Sequence, residues 1–211
     1  MFEPKDLITT EAQIREIVPD QFPSQQNKII DHIDDHIRAW IERTPFITLA
    51  TYSAEGRVDI SPKGDPAGFV KVLDPHTIAI PDRPGNHRYD SFLNILETGK
   101  VAVMFLMPNR REVVRVGGTA QIARDLDLRE SMAIKGRVPD FAIVVRVDYA
   151  FYHCGKAVLR ANLWEPDKAM SVAGLPSYAE AVHDHAALPD MSVEDLETRF
   201  AYNEAHRMYD E

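Results

Sequence analysis

A chain of 211 residues, 45% hydrophobic and 27% charged, can form one domain with a real core, or a domain plus a helical appendage. Its formal net charge of -9 argues against a nucleic-acid binder, which needs a basic face, and makes any cationic cluster a local exception. The single cysteine, Cys154, excludes an intrachain disulfide, so nothing points to an oxidising compartment.

The first residues, Met1-Phe2-Glu3-Pro4-Lys5-Asp6, lack the basic and then apolar regions of a signal peptide. No apolar run approaches the roughly 20 residues of a membrane span. The expected location is therefore the cytoplasm. Residues 10–17 form a short helix candidate. Over residues 25–43, Ile29, Ile30, Ile33, Ile37, Trp40 and Ile41 recur at helical spacing, with Asp31, Asp34, Asp35, Arg38 and Glu42 between them. This predicts one continuous helix, capped by Ser24. His32 and His36 stand four apart, a spacing that suits a metal on a helix. No further ligand motif accompanies them, and solvated or partly buried histidines are the simpler reading.

Pro45 ends this helix. Residues 46–51 read as a strand, Ser53-Ala54-Glu55-Gly56 as a hairpin turn, and 57–62 as the returning strand. After a loop at 64–68, strands at 69–73 and 77–80 flank an Asp74-Pro75-His76 turn. The next segment, 80–88, is the most informative. It passes from a strand through a Pro/Gly-rich turn into a helix at about 88–96. Arg83, Asn86 and Arg88, with flexible Gly85, sit where backbone N–H groups project at a helix start, which suits a phosphate. A tight surface turn with solvated arginines fits equally well. Lys63, Lys71, Arg83 and Arg88 are the local cationic exception.

Residues 101–107 and 111–123 follow as strands, with Gly117-Gly118 marking a bulge or close approach. Residues 126–134 look helical, and 141–152 close the strand series. About six strands, joined mostly by short turns, favour an antiparallel barrel or sandwich over a doubly wound sheet. Arg115, in mid-strand, either meets an anion or carboxylate or faces water. Cys154 is either a small buried residue or a thiolate assisted by His153 and Lys156. From Leu159 onward large apolar residues are sparse. Helices are expected at about 177–187 and from a Ser192–Asp195 capping box to about 208. The expected division is an N-terminal helical segment, 1–45, packing on a barrel, 46–165, with a C-terminal helical tail, 166–211.

The motifs occur in a telling order: Asp59-Ile60-Ser61-Pro62-Lys63-Gly64-Asp65, Gly68-Phe69-Val70, Ile80-Pro81-Asp82-Arg83-Pro84-Gly85-Asn86, then Arg88. His153-Cys154-Gly155-Lys156-Ala157, Arg160 and Leu163-Trp164 follow. Over residues 25–164 the chain resembles the pyridoxamine 5'-phosphate oxidase-like, FMN-binding split-barrel family, and within it the bacterial FMN-dependent proteins of unassigned substrate. Asp65-Pro66-Ala67-Gly68 departs from the pattern, where that group tends to have Pro directly before Gly.

The resemblance implies a mainly β (α+β) fold, a six-stranded antiparallel split β-barrel with flanking helices. It implies a homodimer with FMN at the interface. Lys63, Arg83, Asn86 and Arg88 would hold the phosphate, with Lys71 a further candidate. The flavin ring would lie along Ile60, Ser61 and Pro62 and along Ile80, Pro81 and Asp82. Arg160 and Trp164 would reach the flavin of the partner subunit. An FMN phosphate carries about two negative charges, which arginines meet with charge-assisted contacts. Pro81 and Pro84 would stiffen the loop and Gly85 would permit close approach.

The function so implied is an FMN-dependent oxidoreductase, reduced by NAD(P)H and reoxidised by a small organic acceptor or oxygen. A non-catalytic flavin carrier or redox sensor, and a barrel holding deazaflavin or haem, are the alternatives. The Arg-x-His pattern of the vitamin B6 oxidases is missing, so that activity is not expected.

Overall fold

The structure, a computed structural model, describes residues 1–85 and 87–209. Two short exposed helices, α1 (Glu11–Arg15) and α2 (Pro23–Asn27), precede α3 (Asp35–Ile41). The single helix expected over 25–43 is therefore broken. At Ile30 the backbone instead bridges to Ala150, donating to its carbonyl at 3.0 Å and accepting from its N–H at 2.7 Å. Asp34 then restarts the helix, its side chain accepting from the Ile37 N–H at 2.8 Å. Short acidic side chains compete with helix interiors and favour caps, which explains the break. His32 consequently lies outside α3 while His36 lies within it, and their spacing puts them on no common helix face.

Seven strands follow, one more than expected: β1 (Phe46–Tyr52), β2 (Val58–Gly64), β3 (Lys71–Asp74), β4 (Thr77–Pro81), β5 (Lys100–Leu106), β6 (Val113–Ala123) and β7 (Ala142–His153). Each of the seven lies on a segment read as a strand, and only the summary count of six falls short; β3, expected over 69–73, is a short edge paired with β4 through the hairpin at 74–77. All neighbours are antiparallel, in the order β2-β1-β5-β6-β7-β4-β3. The sheet curls into a split barrel whose seam lies between β2 and β3.

Helix α4 (Asp90–Thr98) joins β4 to β5, and ends at Gly99, whose positive φ of 65° suits glycine. Helix α5 (Leu126–Glu130) is shorter than the span 126–134 expected; a tight turn at Lys135 and Gly136, both at positive φ and closed by an Ile134–Arg137 bridge, follows it. A short α6 (Lys156–Arg160), not anticipated from the sequence, follows β7. The tail carries α7 (Tyr178–Ala186) and α8 (Val193–His206), both opened by serine capping boxes. Among the described residues no helix is long and apolar enough to cross a membrane.

One face of the sheet builds the core. Ile47 and Leu49 of β1, Val103 and Phe105 of β5, and Val114 and Val116 of β6 pack with Ile80 and Ile143 against Ile37, Trp40 and Ile41 of α3. Helix α4 adds Phe92 and Ile95, and is tied to β1 by a buried bond from Asn94 Nδ2 to Thr51 Oγ1 at 2.9 Å. The bulge expected at Gly117-Gly118 is present, as a register shift against β7.

A Cβ on Gly118 would sit 1.9 Å from the Arg146 carbonyl oxygen. That atom is backbone and cannot swing aside. Gly118→Ala is therefore expected to cost about 3 kcal/mol or more, read as a lowered denaturant midpoint. At Gly117 an added Cβ would meet the Tyr149 ring, a side chain that can turn, so Gly117→Ala should cost less.

Candidate functional site

Strand β2 forms one edge of the sheet, and β4 lies one strand in from the other. Closing the barrel brings them together across the seam, where they border a cleft of about 540 Å³. This falls in the range of about 300–1,000 Å³ usual for small-molecule sites. Residues 59–64 of β2 form one wall. Pro81 and the loop through Arg88 form the other, and Tyr89 to Phe92 at the start of α4 close the end. Two non-glycine residues of that loop, His87 and Tyr89, have positive φ of 58° and 55°. Such backbone is costly and persists where surrounding structure enforces it, often at binding sites.

The cations of this cleft are held in different ways. The Lys63 ammonium makes no ion pair or hydrogen bond with the described residues. Burial pushes it below the usual ammonium range, with only partial compensation from the charges of Asp82 and Asp59. Burial likewise pushes the Asp82 carboxyl above the usual carboxylate range, offset in part by Lys63. Arg88 donates from Nε to Asp90 at 2.7 Å, and Arg57 lies 3.5 Å from the same carboxylate. Ser91 Oγ donates to Asp59 at 3.1 Å.

Arg83 is locked more deeply. Its Nε donates to Asp65 Oδ2 at 2.6 Å, and its Nη2 to the Met132 carbonyl at 2.8 Å. The Asp65 side chain is 1% exposed and that of Arg83 17%. The other Asp65 oxygen accepts from the Tyr209 hydroxyl at 2.7 Å.

Of the residues singled out in the sequence, Ile60, Ser61, Lys63, Pro81, Asp82, Arg83 and Arg88 line this cleft together. Ile80 faces the core, fully buried against the barrel interior. Lys71, on the edge strand β3, is not among the lining residues. Arg160 lies on α6, exposed and away from the cleft. Trp164 donates from Nε1 to the Arg110 carbonyl at 2.7 Å and lines a separate cleft of about 320 Å³ with Arg111 and Leu163. Asn86 lies outside the described residues.

Cys154 is exposed rather than buried. Arg115 stacks over Phe151, its guanidinium carbon 5.1 Å from the ring centre. Sequence reasoning passed over the second role of Asp65, as the buried counter-ion of Arg83, and over Tyr209 altogether. The one available signal was the unusual Asp65-Pro66-Ala67-Gly68 step.

The pyridoxamine 5'-phosphate oxidase family profile matches residues 33–154. No curated protein matches the chain. Similar solved structures include HupZ from Group A Streptococcus, 23% identical over 57% of this chain and 93% of its own, with a TM-score of 0.46. An FMN-binding protein from Syntrophomonas wolfei is 15% identical over 55% of this chain and 82% of its own, at 0.43. HutZ, the heme storage protein from Vibrio cholerae, is 13% identical over 58% and 96%, at 0.40. The family match runs from just before α3 to the end of β7, so it takes in the whole barrel, and on that match the chain belongs to the pyridoxamine 5'-phosphate oxidase family.

Proposed function

We propose that this chain is an FMN-dependent oxidoreductase that holds the flavin in the seam cleft of a cytoplasmic homodimer. The observation that carries the reading is Lys63, a half-buried ammonium that makes no ion pair among the described residues and is only partly compensated by Asp82 and Asp59, in a cleft of ligand size. A desolvated cation is costly alone and is stabilised by an anion placed beside it. The residues present fit the group. Lys63 would meet the phosphate, joined by Arg88 once Asp90 shares it. The free edge of β2 offers backbone N–H and C=O groups beside the ring. Bound there, FMN would supply the redox chemistry, taking hydride from NAD(P)H and passing electrons to a small organic acceptor or oxygen. The chain's own part is to hold the phosphate, orient the ring and exclude water.

A second copy of the chain is the partner best supported. Ile60, Ala50, Ala102, Gly117 and Tyr149 lie in register across five adjacent strands. They occupy the face opposite Leu49 and Val103, away from the core. This row carries no charge, and its small central residues admit close approach of another sheet. Ile60 belongs both to this face and to the cleft, so a partner docked here would also wall the cofactor site.

The test is to denature the purified protein and identify the released molecule by mass. FMN is expected, at one per subunit of a dimer sized by light scattering. Release of haem or a deazaflavin would overturn the cofactor assignment. Anaerobic NAD(P)H should then bleach the bound flavin. A flavin that stays oxidised would point to the carrier role instead.

A further inference from the structure

The tail packs on itself, with α7 and α8 meeting through Tyr178 and Phe200 at 5.0 Å between ring centres. Its end nonetheless returns to the barrel. Tyr209 lies half-buried beside the cleft, its hydroxyl on a buried carboxylate and its ring beneath two cations. Arg83 lies 5.8 Å and Lys135 5.4 Å from the ring centre. Lys135 reaches it from a tight turn in which Lys135 itself takes a φ of 48°. A lysine in left-handed backbone is uncommon, so the surroundings hold this turn in place.

Tyr209 also borders a second cavity of about 310 Å³. Asp82, Arg83, Pro84 and Tyr89 belong to both cavities, so this loop is the partition between them. Asp65 thus has both oxygens satisfied, one by Arg83 and one by Tyr209. The hydrogen bond to Asp65 holds the phenol above the usual tyrosine range, so it stays a donor at neutral pH.

We infer that Tyr209 is a positioning residue, a C-terminal latch that fixes the Asp65–Arg83 pair and so pre-forms the loop wall of the cofactor cleft. The cofactor half of this inference rests on the FMN reading above. The latch itself does not. A wall already ordered loses less entropy when the ligand binds. Coupling is reciprocal, so a bound ligand should in turn hold the tail down.

The test compares the full chain with Tyr209→Phe, which keeps the ring and removes the donor, and Tyr209→Ala, which removes both. A hydrogen bond to a charged group is among the stronger ones, and with part of it coupled to the cleft, Tyr209→Phe should speed FMN dissociation about three- to tenfold. Tyr209→Ala should exceed it. Amide hydrogen exchange should quicken at Asp82, Arg83 and Gly85 while the barrel core stays protected.

Unchanged dissociation and unchanged exchange in both variants would overturn the latch. So would faster exchange throughout the barrel, which marks a merely structural role. Wild-type protein that takes up no FMN, with residues 82–85 still released in Tyr209→Phe, would uphold the latch while the cofactor reading falls.

Discussion

Arg83→Ala is expected to destabilise the fold by about 3–5 kcal/mol, the usual cost of stranding one partner of a buried ion pair. The substitution leaves the Asp65 carboxylate, 1% exposed, without its cation, and frees the Met132 carbonyl from its donor. Arg83→Lys should recover little. The guanidinium serves Asp65 and Met132 from two separate nitrogens, and a single ammonium cannot reproduce that fork.

Pairing Arg83→Met with Asp65→Leu should restore a large part of the loss, since a buried pair replaced whole by apolar groups is often neutral. The cycle is read from denaturant midpoints at constant slope. Additive losses in the double variant would mean that the two residues act separately. The result also bears on the site, because loss of cofactor in an Arg83 variant would report a collapsed wall as much as a lost phosphate contact.

The barrel was legible because its signals are local. Alternation in Phe46-Ile47-Thr48-Leu49-Ala50-Thr51 sends Ile47 and Leu49 inward, and the paired glycines at 117–118 marked the bulge. The broken helix was not legible. Periodicity over 25–43 is genuine, but Ile30 gains more from bridging Ala150, 120 residues along the chain, than from a helical turn. Strand β3 was read over 69–73, and the structure keeps Lys71–Asp74 of it. In the site, residue types and order were readable, and the pairing of charges was not. Asp65 becomes a buried counter-ion only because its loop, Arg83 and a tyrosine 144 positions away meet in space. Nothing in the spacing of these residues announces that. Lys63 and Arg83 look alike in sequence, while among the described residues the fold leaves the Lys63 ammonium without an ion pair, only partly compensated by Asp82 and Asp59, and spends the other cation on structure.

That difference makes Lys63 the decisive residue for the ligand. Lys63→Met keeps the length and apolar stem and removes the charge. If the ammonium holds the FMN phosphate, the loss of a charge-assisted contact of about 1.5–3 kcal/mol weakens FMN about 10- to 150-fold. Riboflavin, which lacks the phosphate, should bind both proteins alike, and titrations with the two flavins separate a phosphate seat from a general effect on the cleft. Equal losses for both flavins would sink the assignment.

The pH dependence follows from the same burial. An anion needs the protonated lysine, and burial lowers the pKa of the ligand-free cleft. Wild-type affinity should therefore fall as pH rises through that lowered value, at less alkaline pH than an ordinary lysine would give, and the variant should lack this step. Stability runs the opposite way. A lysine whose folded pKa lies below its unfolded one destabilises the fold while protonated, and that penalty lifts as pH rises. In the absence of ligand, Lys63→Met should thus be at least as stable as wild type at neutral pH while binding FMN far more weakly, because a cation held for a ligand is a burden to the fold until the ligand arrives.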